Sequence, residues 1–262
     1  MYWYKGELIE SQFIQLPIDE PGLLFGATIF TTLRIYNNSL DSRLTDWQAH
    51  CKRLEYSVQQ LNFQQPNWQN IRRGASILIN HFPILRITLF PNGSEWITGR
   101  LMPDGLVEKQ KNGVSLTIAE TAQYRSLPFY KTGNYLAPWL AKKNALQQDA
   151  QEAILTDAAG NWLETSTGNL WGWRDRSWFT PPLSAGILPG IMREKLLNCL
   201  RFEYPVKEEA FTSELVKGFK ALAYSNCVVE ILPIHQVIHP TGKLQYDPSH
   251  YCFKELRRYL LA

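Results

Sequence analysis

Cysteine is scarce in this 262-residue chain, and the four present (Cys51, Cys199, Cys227, Cys252) lie far apart with no Cys-x-x-Cys pair. That disfavours a disulfide framework or a structural zinc site and suits a reducing compartment. No stretch approaches the ~18 consecutive apolar residues of a membrane span, so no membrane association is expected. The first residues, Met1 to Glu7, show no long apolar run behind a basic start; no secretory signal is read, and a cytoplasmic protein is expected. A marked charge of one sign is also missing. With 27 basic against 24 acidic residues the net charge is +3, too mild to argue for nucleic acid, while small anionic substrates remain compatible. The basic pairs Arg72-Arg73 and Lys142-Lys143 read as solvated faces. Gly-x-Gly-x-x-Gly, Walker and Gly-x-Ser-x-Gly patterns are absent, which removes the usual support for dinucleotide, P-loop and hydrolase chemistry. His235 and His239 stand four apart, as helix-borne metal ligands do. Pro233 and Pro240 argue against a helix there, and no metal is expected.

What is present is a folded, apolar-rich chain. At about 150 residues per domain the length allows roughly two domains. Met1–Tyr4 and the residues after Lys5-Gly6 suit a short hairpin, and Thr28–Tyr36 a strand rich in β-branched and aromatic residues. Leu44, Trp47, Cys51, Leu54, Val58 and Leu61 form one apolar stripe at helical spacing, and Trp68 to Phe82 carries a second helical pattern. Strands are expected at Ile84–Phe90, Glu95–Leu101 and Val114–Ala119. Residues 120–130 follow neither period and read as a connection. Leu136–Leu146 is expected to be helical, followed by strands at Ala153–Thr156, Trp162–Thr165, Leu170–Trp173 and Trp178–Thr180. Gly190 opens a helix with Leu196, Leu197 and Leu200 on its apolar side. Ala221–Ser225 and Val228–Ile231 suit strands, and Tyr251–Leu261 a closing helix. The expected organisation is α+β: a small domain over 1–119, a linker over 120–130 and a larger strand-rich domain over 131–262.

Several short blocks concentrate chemistry. Lys131 sits in a glycine-containing turn, Lys131-Thr132-Gly133-Asn134-Tyr135-Leu136. Glu164 follows 33 residues later at a strand end, before the small polar run Thr165-Ser166-Thr167-Gly168-Asn169. Then come Thr180-Pro181-Pro182 and Leu188-Pro189-Gly190-Ile191-Met192-Arg193, a loop entering a helix. An amine that condenses with an aldehyde, a carboxylate for a pyridinium nitrogen and a helix N-terminus for a phosphate are what a pyridoxal 5'-phosphate site requires.

The ordered blocks Lys131-x-x-Asn134-x-Leu136, Glu164-x-x-x-x-Asn169-Leu170, Thr180-Pro181-Pro182 and Leu188-Pro189-Gly190-Ile191-x-Arg193 resemble the class IV (fold-type IV) pyridoxal-phosphate enzymes. That family includes branched-chain and D-amino-acid aminotransferases and 4-amino-4-deoxychorismate lyase. The resemblance runs from about Gly26 to Pro233, with His50-x-x-Arg53-Leu54 as a further block. It implies a two-domain fold, a small α/β sandwich domain plus a larger strand-rich pseudo-barrel domain, and a homodimer acting on a small anionic amine.

The same resemblance assigns roles. Lys131 is similar to the lysine that carries the cofactor and moves the substrate Cα proton, and Glu164 to the carboxylate that keeps the ring nitrogen protonated. Arg53 and the Ile191 and Met192 amides are implied to hold the phosphate, Leu188 to pack on the ring, and Tyr135, Asn226 and Cys227 to line the cofactor. Phe30, Arg34, Arg86, Ser166 and Thr167 are implied around the substrate, with the Thr32 hydroxyl assisting the leaving group. Thr31-Thr32, Arg86 and Ser225-Asn226-Cys227 resemble the lyase members, so elimination of pyruvate to give 4-aminobenzoate is expected, with transamination of branched-chain or D-amino acids as the alternative. Two departures stand out: Ala27-Thr28 replaces a usual Asp-Gly, and Met192 stands where a threonine is common.

Overall fold

The Lys5-Gly6 turn reverses the chain with both residues in the left-handed region (φ +49° and +83°), pairing β1 (Tyr2–Tyr4) with β2 (Glu7–Ile9). The computed structural model describes residues 1–120, 123–199, 203–239 and 242–261. They form two units, each with its own sheet.

The first unit holds residues 1–103 and 130–135. After the hairpin come α1 (Pro21–Leu24), β3 (Ile29–Arg34), α2 (Trp47–Gln60), α3 (Trp68–Leu78), β4 (Ile84–Leu89) and β5 (Glu95–Arg100). The five strands run in the order β2-β1-β5-β4-β3. Strand alternation decides the core: Ile29 and Leu33 of β3, Leu85, Ile87 and Leu89 of β4, and Ile97 of β5 pack with Leu54 and Val58 of α2 and Ile71, Ala75 and Leu78 of α3. The side-chain carboxylate of Asp46 accepts from the Ala49 amide to cap α2, and the side-chain amide oxygen of Asn67 accepts from the Asn70 amide to cap α3, so each helix begins where its orphan amides find an acceptor. The apolar stripe from Trp47 to Val58 is helical as its spacing predicts. Leu44 lies outside the helix, and α3 stops at Leu78, short of Phe82.

The second unit holds residues 104–129 and 136–262. It contains α4 (Leu106–Asn112), β6 (Val114–Ile118), α5 (Leu136–Leu146), β7 (Glu152–Thr156), β8 (Trp162–Thr165), β9 (Asn169–Arg174) and β10 (Ser177–Thr180). A 3-10 turn at Leu183–Ala185 leads to α6 (Ile191–Cys199), β11 (Val206–Glu208), α7 (Ser213–Lys217), β12 (Ala221–Asn226), β13 (Glu230–His239), β14 (Gly242–Gln245) and α8 (Phe253–Leu261). Among the described residues these strands make one sheet in the order β11-β10-β9-β12-β13-β6-β7-β8, with β14 added to β13. A further pairing of β8 with β9 closes six of the strands on themselves. Parallel pairing of β6 with both β13 and β7 alternates with antiparallel hairpins. The architecture is α+β, with one small sheet-and-helix unit and one larger barrel-like unit.

The boundary differs from the one expected. The first unit ends at 103 rather than 119, because Val114–Ile118 is paired into the larger sheet through β13 and β7 and is buried along most of its length. Residues 123–129 of the expected 120–130 linker belong to the second unit, and residues 121–122 lie outside the described residues. Residues 130–135 return to the first unit, so Lys131 does not belong with 136–262. Two further corrections follow from hydrogen bonding. The strand expected at Val228–Ile231 begins at Glu230, because Asn226 Oδ1 accepts from both the Val228 and Val229 amides (2.9 Å each) and folds that stretch into a turn. Residues 106–112, where the sequence suggested no element, form α4. Leu200, expected on the apolar side of α6, lies outside the described residues. His235 and His239 fall on β13, not on a helix, and among the described residues no His, Cys, Asp and Glu cluster has metal-binding geometry. No helix among them is long and apolar enough to cross a membrane.

Candidate active site

In the first unit, the segment carrying Lys131 is bound to the outer edge of β3. The Phe30 amide donates to the Lys131 carbonyl (2.8 Å), Ile29 and Thr132 form an antiparallel bridge, and the Gly133 amide donates to the Thr28 carbonyl (2.7 Å). Glycine is required at 133: a Cβ there would lie 2.1 Å from Thr28 Oγ1. Thr28, one of the two departures from the family pattern, therefore abuts the turn that presents Lys131.

The pleat of β3 then sorts its neighbours. Phe30, Thr32 and Arg34 share one face. The Lys131 Nζ lies 4.8 Å from the Phe30 ring centroid and 5.7 Å from that of Tyr135, and the two rings meet edge to face at 5.8 Å. Arg86, the cross-strand partner of Thr32, places its guanidinium 3.6 Å from the Phe30 centroid and donates to Thr88 Oγ1 (3.4 Å). Burial, reinforced by the charge of Arg100 and opposed by Tyr135, lowers the Arg86 guanidinium to about 10. The structure thus brings together Phe30, Thr32, Arg86, Lys131 and Tyr135. Arg34 instead lies over the Tyr36 ring at 4.8 Å.

Thr31 points the other way, toward α2. Its hydroxyl accepts from Arg53 Nη2 (2.5 Å) and hydrogen-bonds with the Nδ1 of buried His50 (2.6 Å). The spacing of three in His50-x-x-Arg53 puts both side chains on the helix face that meets the strand. Thr31 and His50, given no role from the sequence, are what orient Arg53.

In the second unit, a short hairpin explains the spacing of Glu164 and Asn169. The two are direct partners across β8 and β9. The loop between them is fastened by the Thr165 hydroxyl, which accepts from the Gly168 amide (2.9 Å), and by the Thr165 amide, which donates to the Gly168 carbonyl (2.7 Å). Both partners then hold one residue of the following loop. The Leu188 amide donates to Glu164 Oε1 (3.4 Å), and Asn169 Nδ2 donates to the Leu188 carbonyl (2.9 Å). Next to it, Gly190 has no room for a side chain, since a Cβ would fall 2.1 Å from Asn169 Oδ1. The Gly190 carbonyl accepts the first α6 bond, from Glu194, which leaves the Ile191 and Met192 amides in the first helical turn, where no intrahelical acceptor exists. Arg193 is structural: buried, it donates to the Pro181 carbonyl (3.0 Å) and pairs with Glu208 (2.5 Å). Thr180 donates to the Leu170 carbonyl (2.8 Å) and ties β10 to β9.

Glu164 is buried, and Arg125 Nε donates to its Oε1 at 2.7 Å. Arg125 lies in the aperiodic stretch before Lys131 and was given no function from sequence. A single arginine among Tyr124, Ser126, Leu127 and Pro128 was its only mark.

Ser166 and Thr167, implied near substrate, direct their hydroxyls to the fully buried carboxylate of Glu152: Ser166 Oγ donates to Oε1 and Thr167 Oγ1 to Oε2 (2.6 Å). Lys142 approaches the same carboxylate at 3.3 Å, and burial together with Glu152 pushes the Tyr224 phenol well above its ordinary range. Asn226 Nδ2 reaches Thr167 Oγ1 (3.5 Å), and Cys227 is half-buried in the turn that Asn226 shapes.

Residues 28–237 match the protein family described as amino-transferase class IV. The chain is similar to the aminodeoxychorismate lyase of Vibrio harveyi, 24% identical over 94% of this chain and 94% of that protein. It is also similar to the branched-chain-amino-acid aminotransferase of Escherichia coli K12, 22% identical over 90% of this chain and 84% of that one. Among solved structures, the branched-chain aminotransferase of Thermoproteus uzoniensis superposes with a TM-score of 0.82 over 99% of this chain and 93% of that chain, at 22% identity.

Proposed function

Because this chain belongs to the class IV aminotransferase family, we propose that it is a pyridoxal-phosphate enzyme and, within the family, a 4-amino-4-deoxychorismate lyase. Its donor set fits the cofactor. A lysine amine lies beside two aromatic rings. A buried carboxylate is ion-paired with a guanidinium. A helix of nine residues opens behind Gly190, with the Ile191 and Met192 amides in its first turn. When bound, pyridoxal phosphate supplies an electron-poor ring that stores the electron pair released at the substrate Cα.

The chain's own residues do the rest. Lys131 Nζ would hold the cofactor and, when free, would take the substrate Cα proton. Glu164 would keep a proton on the ring nitrogen, and Leu188, on a loop gripped at both its amide and its carbonyl, would pack against the ring. Arg53, oriented by Thr31, would be the first unit's donor to the phosphate, and the Ile191 and Met192 amides the second unit's. Arg86 binds a substrate carboxylate, a task its planar fork suits. The Thr32 hydroxyl would donate a hydrogen bond to the oxygen of the departing enolpyruvyl group. The carbon–oxygen bond then breaks, pyruvate leaves, and the ring that remains becomes aromatic as 4-aminobenzoate.

The observation that carries the lyase reading over a transaminase is the pairing of Thr32 with Arg86 on one face of β3 and β4. That face of β3 presents Phe30, Thr32 and Arg34 and no carboxylate. The relative matched over 94% of both chains supports the same choice. The test is to incubate purified holoprotein with aminodeoxychorismate. Pyruvate and 4-aminobenzoate released without any keto acid are expected, and Lys131→Ala abolishes them. Amino transfer that depends on a keto acid, without pyruvate from aminodeoxychorismate, selects the transaminase reading. The proposed working form is a cytoplasmic homodimer, checked for assembly by sedimentation.

A further inference from the structure

We infer that Arg125 is a positioning residue that holds Glu164 charged and correctly turned for the cofactor's ring nitrogen, an inference that rests on the reading of Glu164 given above. The ion pair is one of the most enclosed in the protein: the side chains are 7% and 3% exposed, and Nε to Oε1 is 2.7 Å. A carboxylate buried to that degree is costly unless a cation and further donors compensate it. Arg125 compensates it in two ways. Its Nε meets the carboxylate, while its Nη2 donates to the Ser166 carbonyl at 3.1 Å, two residues past Glu164 in the hairpin loop. The planar guanidinium therefore fixes an angle as well as a charge, since one edge bonds the side chain and another bonds the backbone that follows it. The Leu188 amide reaches the same oxygen, Oε1 (3.4 Å). With two donors on one oxygen, rotation of the carboxylate about its own axis is restrained. An ammonium at 125 keeps the charge but cannot make both contacts in one plane.

A purely structural role, pinning residues 123–129 to the larger unit, makes a different forecast, so the test measures cofactor affinity and coupling. Pyridoxal phosphate is titrated into the apoprotein forms of wild type, R125K, E164Q and R125K/E164Q, followed by visible absorbance, with thermal melts of each. R125K is expected to melt with the wild type yet bind the cofactor about tenfold more weakly. Its absorbance band shifts in the same direction as that of E164Q. In the double variant the affinity equals that of E164Q alone, because Arg125 acts through Glu164. Wild-type affinity in R125K overturns the inference, and so does a double variant whose loss is the product of the two single losses. Wild-type affinity in E164Q overturns the reading of Glu164 itself, an outcome distinct from the other two. Should R125K fail to fold, R125Q/E164Q, which strands no buried charge, is compared with E164Q. Equal affinities uphold the inference and a further loss overturns it.

Discussion

Glu164 and Asn169 face each other across a four-residue hairpin loop and hold the two ends of one residue, Leu188, by its amide and its carbonyl. The family spacing of these two residues is thus a consequence of strand register. A loop one residue longer or shorter would turn one of them to the other face of the sheet. Replacing Asn169 by Ala removes a buried donor and leaves the Leu188 carbonyl unsatisfied. Stability is expected to fall by about 1–3 kcal/mol, and cofactor affinity with it. Urea denaturation of the apoprotein measures the first and absorbance titration the second. An unchanged denaturation midpoint would contradict the assigned clamp.

Gly133 and Thr28 make a second coupled pair. Gly133→Ala forces a methyl group to within 2.1 Å of Thr28 Oγ1, and overpacking of that kind costs about 1–3 kcal/mol. Thr28→Ala removes the obstructing hydroxyl, so the double variant is expected to regain much of the loss. Urea midpoints of the four proteins give the coupling; strictly additive effects would rule it out.

Cys51 and Cys252 are expected to be inert near neutrality. Burial, opposed by Arg72 and aided by Glu55, pushes the Cys51 thiol up to about 11, and burial also raises Cys252. At pH 8 the Cys51 thiolate is scarcer than in an unfolded chain by on the order of a hundredfold, and alkylation slows in proportion. The sign for stability follows. The native thiol keeps its proton while the unfolded one releases it above its ordinary value of 9.0, so this contribution is intact below that pH and is lost between about 9 and 11. Iodoacetamide labelling with mass spectrometry, and urea melts across that range, check both statements.

Thr167 separates structure from substrate contact. Its hydroxyl donates to buried Glu152 and lies within reach of Asn226. Thr167→Val keeps the shape and removes the donor. It is expected to lower stability by roughly 1–3 kcal/mol with the Michaelis constant for aminodeoxychorismate changed less than twofold. A large rise in that constant at unchanged stability would instead assign Thr167 to the substrate.

Much of the local structure was legible because it obeys simple periods. The Trp47–Val58 stripe, the Lys5-Gly6 reversal and the glycine before α6 each mark their element locally. Sheet membership was not legible. Val114–Ile118 is a short apolar run that fits either sheet, and only its parallel partners β13 and β7, more than thirty residues downstream, assign it. The motif residues Lys131, Glu164 and Asn169 were visible as a pattern, but what holds them was not. Arg125, Thr31 and His50 act through long-range contacts that leave no periodic trace. Ser166 and Thr167 look like ligands for a small molecule because small hydroxyl residues serve both purposes; it took the burial of Glu152 to show what their hydroxyls bind in the fold.

The segment from Tyr130 to Tyr135 has a second duty beyond presenting an amine. Strand β3 is the rim of its sheet, and exposed rims recruit other chains. By bridging Ile29 and accepting from the Phe30 amide, this segment blunts that rim. A fragment cut at Pro103 would carry every strand of the small sheet and still be sticky, whereas adding back six residues from beyond position 129 would restore its solubility.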